Sequence, residues 1–161
     1  MRQVGTKGRS VRLALAILAA AGSLALSGCG SSTGTVAFRC GPQINGGLAL
    51  AVDVVRATEQ EARNIQTMGE KWFYDQSRLS FQGQNRIQTL TFTAGEVSGR
   101  CDREVTVKVN KGEMFLVLIA DYKFQATDPA RYVIALPREK WVGQKVLVSV
   151  LERELAVETR W

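Results

Sequence analysis

From residue 35 onward, the pattern of apolar and polar positions predicts a chain made mostly of short strands. Thr35–Cys40 reads as a first strand, and Leu48–Arg56 as a second. In the second, Leu48, Leu50, Val52 and Val54 share one face and Ala49, Ala51 and Asp53 the other, the period of two expected of a pleated strand. Between them, Gly41–Gly47 is rich in turn formers and contains the Asn45-Gly46 pair, so the two strands read as a pair joined by a seven-residue loop. The period then changes. Thr58 with Glu61 three residues on forms a capping box, and the good helix formers behind it predict a helix to about Met68, broken by Gly69. Lys71–Asp75 carries Trp72, Phe73 and Tyr74 and reads as a further helical turn. Strand periodicity resumes in Arg86–Thr93 and in Glu104–Val109, where Val105, Val107 and Val109 point inward. Met114–Ala120 is a continuous apolar run, as expected of a central strand buried on both faces. Arg131–Leu136 ends at Pro137, and Lys145–Leu151 with Glu154–Val157 reads as one bent strand or a hairpin. Seven or eight short strands with turn signals between them predict a mainly β chain, a two-sheet β-sandwich with a short helical insertion.

The first 28 residues follow another pattern. Arg2, Lys7, Arg9 and Arg12 precede an apolar stretch from Leu13 to Leu26, and no acidic residue occurs before Cys29. That stretch suits a secretory signal and is short for a membrane-crossing helix, which needs about 20 apolar residues. Leu26-Ser27-Gly28-Cys29 resembles a bacterial lipoprotein signal. The resemblance implies that residues 1–28 are a signal peptide and that Cys29 is lipidated and becomes the first residue of the mature chain. Two or three acyl chains anchor stably where one holds only marginally. Gly30 and Ser31 follow the cysteine with no Asp, which by the same resemblance favours the outer membrane. Residues 29–34 then read as the lipidated cysteine with a flexible tether, and residues 35–161 as the sandwich domain.

This division changes the charge reading. The chain has 21 basic and 15 acidic residues, but four of the basic ones lie in the signal. The remaining 133 residues carry 17 against 15, a net charge of only +2, which gives no support for nucleic-acid binding. The chain contains no histidine, which removes the commonest general base and metal ligand and any triad built on one. It holds neither a phosphate-binding glycine loop nor a CxxC pair. Glu152 and Glu154 read as solvated carboxylates, and the aromatic group at 72–74, like Trp141 and Trp161, reads as packing. The expectation is a protein that is not an enzyme, with no cofactor, no metal and no small-molecule substrate. Cys40 and Cys101, in an oxidising compartment, are candidates for a disulfide.

The order of pieces resembles the type VI secretion outer-membrane lipoprotein family (TssJ, also called SciN or VasD). The more specific stretches are Leu118-Ile-Ala-Asp-Tyr-Lys123, Asp128-Pro-Ala-Arg-Tyr132 and Val133-Ile134, with Leu79 after an acidic-aromatic stretch and Lys111-Gly112-Glu113 before the central strand. Tyr132 stands where the family commonly has tryptophan. The resemblance spans roughly Thr35 to Val157. It implies a transthyretin-like sandwich on the periplasmic face of the outer membrane that binds the periplasmic domain of the inner-membrane protein TssM, with TssL behind it. It also implies that the loop between the first two strands contributes to that contact, here Pro42, Gln43, Ile44 and Asn45, with Ile44 as an exposed apolar anchor. The alternative is another periplasmic lipoprotein binding module or a pilotin-like assembly factor.

Overall fold

The computed structural model describes residues 33–93, 101–123 and 127–158, and eight strands among them form two four-stranded sheets. The strands are β1 (Thr33–Cys40), β2 (Leu50–Ala57), β3 (Ile87–Phe92), β4 (Arg103–Lys108), β5 (Phe115–Ala120), β6 (Val133–Pro137), β7 (Lys145–Val150) and β8 (Leu155–Glu158). One sheet has the order β4-β1-β7-β8 and the other β3-β2-β5-β6. Only β1 and β7 pair in parallel; the remaining pairings are antiparallel. The two-sheet β-sandwich expected from the periodicity is the fold observed, and the last two strands form a hairpin.

The sheets differ in what covers them, and the difference is written into their strands. In the first sheet, β4 alternates buried and exposed positions and β7 alternates buried with half-buried ones, because one face of each meets the core. The second sheet is covered on both faces. Phe38 and Phe92 meet edge to face at 6.1 Å and join the two inner faces. On its other side lies the insertion, made of α1 (Glu59–Met68), a 3-10 segment (Gly69–Tyr74) and α2 (Gln76–Gly83). β5 is therefore apolar throughout, with Leu116 to Ala120 fully buried.

α1 starts where the sequence predicts. The Thr58 side chain accepts from the Glu61 N–H, and the Glu61 carboxylate accepts from the Thr58 N–H at 2.7 Å. α2 was not expected. Its start is signalled by Asp75, whose carboxylate accepts from the Ser77 N–H at 2.8 Å. The insertion is pinned by Asp53, which periodicity had placed on the less buried face of β2. It is fully buried and accepts from Trp72 Nε1 at 2.9 Å, Thr89 Oγ1 at 2.6 Å, and Arg78 Nε and Nη2 at 2.7 and 3.1 Å. A buried carboxylate is tolerated because its oxygens are satisfied. The bond from Asp53 in turn raises the Arg78 pKa. Trp72 and Trp141 are core residues, each fully buried, whereas Tyr74 is exposed. Trp161 lies outside the described residues.

Candidate partner-binding site

Strand directions divide the sandwich into two ends. β1 starts at one end, where Thr33 lies opposite Lys108 at the close of β4 and its carbonyl accepts from Gly143 N–H at 2.8 Å. The same end holds the β4–β5 turn (109–114), the β6–β7 connection (138–144) and the close of β2. Gly34 is required there, because a Cβ on it would lie 2.2 Å from the Trp141 carbonyl oxygen. The opposite end holds the β1–β2 loop (41–49), the described parts of the β5–β6 connection (121–123 and 127–132) and the β7–β8 turn (151–154). We call these the tether end and the loop end.

At the loop end the β1–β2 connection is not a hairpin turn. β1 and β2 belong to different sheets, so residues 41–49 cross the open end of the core. That crossing corrects the expectation for Ile44. It is only 1% exposed and joins the core cluster, because a segment bridging two sheets passes over their interior and an apolar side chain there closes it. Asn45 is buried too. Its Nδ2 donates to the Ala49 carbonyl at 2.5 Å and its Oδ1 accepts from the Lys123 N–H at 2.8 Å, tying the loop to the end of β5. Asn45, Gly46 and Gly47 all have positive φ, a left-handed run that Asn and Gly tolerate best. Pro42 and Gln43 are exposed as expected. The apolar side chain presented by this loop is Leu48, 39% exposed, beside exposed Ala49. Sequence periodicity had assigned Leu48 to the buried face of β2, but the strand starts two residues later.

The rest of the loop end is held by separate ties. Cys40 and Cys101 are joined by a disulfide, with Cα atoms 6.0 Å apart, which links the end of β1 to the approach to β4. The Gly41 N–H donates to the Val150 carbonyl at 2.8 Å. Tyr122 is buried, and its hydroxyl donates to the Glu154 carbonyl at 2.6 Å. Burial, with the Glu154 charge nearby, pushes the phenol pKa up. Glu154 also pairs with Arg131, so it serves the contact between two connections and is not simply a solvated carboxylate. Burial likewise raises the Asp121 pKa; Arg78 opposes the shift, while Asp53 and Glu70 reinforce it. The arrangement offers a shaped surface of Pro42, Gln43, Leu48 and Ala49 on a cross-tied base. Cys29 lies outside the described residues. A groove of about 500 Å³ opens elsewhere, lined by residues that include Arg56, Asn85, Thr106 and Lys108, between the edge strands β3 and β4.

No family model matches the sequence, and no curated protein matches it. Solved structures do match. A chain of a type VI membrane complex aligns over 80% of this chain and 99% of its own length, with 13% identity and a TM-score of 0.64. A chain of a structure described as a T6SS TssM C-terminal domain from EAEC aligns over 79% and 98%, with 12% identity and a TM-score of 0.60. The T6SS lipoprotein TssJ1 from Pseudomonas aeruginosa aligns over 81% and 98%, with 12% identity and a TM-score of 0.59. The fold is that of a TssJ lipoprotein. Nearly the whole length of each matched chain is covered, so the TssJ fold accounts for both sheets and not for one shared motif.

Proposed function

We propose that this protein is an outer-membrane-anchored structural lipoprotein of a type VI secretion membrane complex, binding the periplasmic domain of TssM. The observation that carries the reading is the division of the sandwich into two ends. β1 begins at Thr33, only four residues after Cys29, at the end opposite the β1–β2 loop. A lipid on Cys29 would hold one end near the membrane and leave the loop end directed away from it, the geometry of a bridge. The TssJ fold supports the class of protein, and the matched type VI membrane complex supports the class of partner.

On this reading the lipid supplies the anchor and the loop end supplies recognition. Pro42, Gln43 and Leu48 meet the partner, while Ile44 and Asn45 hold the loop in shape from beneath. The test is co-purification of the chain lacking residues 1–29 with a periplasmic TssM fragment. Leu48→Asp is expected to weaken the complex about tenfold or more with an unchanged unfolding midpoint. An absence of binding at micromolar concentration would refute the adaptor role. Cys29→Ser is expected to leave a folded, partner-binding domain that no longer supports secretion, and full secretion by that variant would reduce the anchor to an address.

A further inference from the structure

The exposed charge of the described domain is unevenly placed. At the loop end Asp102, Asp121, Asp128, Glu152 and Glu154 are offset by Arg39, Arg103, Lys123, Arg131 and Arg153. At the tether end Lys108 and Lys111 flank the β4–β5 turn, Arg138 and Lys140 lie in the β6–β7 connection, and Lys145 opens β7. The four lysines are exposed and Arg138 is half-buried. The acids of this end are mostly engaged. Glu113 is buried against Arg56 and Arg86, Glu61 bonds Arg86 and Glu59 pairs with Arg63, while Lys145 is itself taken up by Glu104 further along the sheet. Glu139 is the remaining exposed carboxylate on these turns. Met114, 47% exposed, adds an apolar side chain beside the turn that carries Lys111.

We propose that the tether end is a lipid-facing surface that seats on anionic phospholipid head groups through Lys108, Lys111 and Lys140, with Met114 as its apolar contact. The inference rests on the reading of Cys29 as the anchor, which fixes what this end faces. Four residues of chain span at most about 14 Å, so the lysines are held within one or two Debye lengths of the bilayer. At that distance a basic side chain is attracted by an anionic surface, and each adds about fivefold to partition. The lipid alone would leave the sandwich to swivel on its tether. A basic face around the tether would hold the sandwich upright and aim the loop end away from the membrane.

The test uses the chain lacking residues 1–28 and carrying Cys29→Ser, which has no acyl group; its described core lies between Val36 and Leu155 and needs nothing from the signal. The probes are phosphatidylcholine vesicles with and without phosphatidylglycerol. Sedimentation with the phosphatidylglycerol vesicles only, weakening as salt rises, is expected. Lys108→Gln/Lys111→Gln/Lys140→Gln should lower that partition about a hundredfold. Lys123→Gln/Arg153→Gln, at the loop end, should leave it unchanged. Equal recovery on neutral vesicles, no recovery on either, or equal losses from the two variants would overturn the proposal. The anchor reading is tested separately, by incorporation of labelled fatty acid into the full chain with and without Cys29, so the two can fail independently.

Discussion

The two ends of the sandwich solve the same problem, closing an open core, by opposite means. The tether end uses a compact charged network. Glu113 is 5% exposed and receives the Asn110 N–H at 3.1 Å, with Arg56 at 3.3 Å and Arg86 at 3.5 Å, while Arg86 also bonds Glu61 and lies 4.5 Å over Phe81. The loop end uses long connections, each held by one or two ties: the disulfide, Asn45, Tyr122 and the Arg131–Glu154 pair. Shared ties make a rigid base. Separate ties leave backbone and side chains on the surface, which is what recognition needs.

The strongest way to break the contrast is the disulfide. Cys40 and Cys101 are 61 residues apart in sequence, and in the chain-entropy model the bridge contributes about 4 kcal/mol. Cys40→Ala, or reduction of the parent protein, should lower the urea midpoint accordingly, and the variant should then be insensitive to reductant. Next, Glu113→Ala at the tether end should cost about 3 kcal/mol, because Arg56 and Arg86 lose a buried partner together. Chemical denaturation checks it, and a cost below that of an ordinary surface change would show that the network is not shared. Asn45→Ala should cost about 2 kcal/mol by leaving the Lys123 N–H and Ala49 carbonyl without their bonds. Unlike Glu113→Ala, it should also weaken partner capture, measurable by isothermal titration. The smallest effect is electrostatic. The Arg86 hydrogen bond holds Glu61 at a pKa of about 2, down from 4.5. A carboxylate depressed on folding contributes stability above its unfolded pKa and loses it as pH falls through the folded one. Stability from this pair should therefore fade between about pH 4.5 and 2, by about 1 kcal/mol given its partial exposure. Glu61→Gln should flatten that part of the acid-denaturation profile.

Much of this was legible in local pattern. The period-two runs located the strands to within a few residues, and the Thr58–Glu61 capping box located α1 because both partners of the box are local. α2 was missed because its Gln- and Ser-rich eight residues carry a weak apolar pattern, and the aromatic group before it drew the reading away from the Asp75 cap. The candidate loop was legible as a loop, but its roles were misassigned: Ile44 reads as exposed in a turn-rich stretch, and Leu48 as buried in a strand.

The sequence by itself determined the strand-rich architecture, the capped helix and the signal-like segment before Cys29, since each depends on residues within a few positions of one another. The tertiary structure alone decided that β1 and β2 lie in different sheets, which turns a hairpin loop into a crossing and moves Ile44 inside. It also decided that Asp53 anchors the insertion and that the lysines of the β4–β5 turn and the β6–β7 connection lie at the end where β1 begins. These outcomes depend on pairings between strands far apart in sequence. Periodicity says which face of a strand is apolar and is silent on which strand that face will meet.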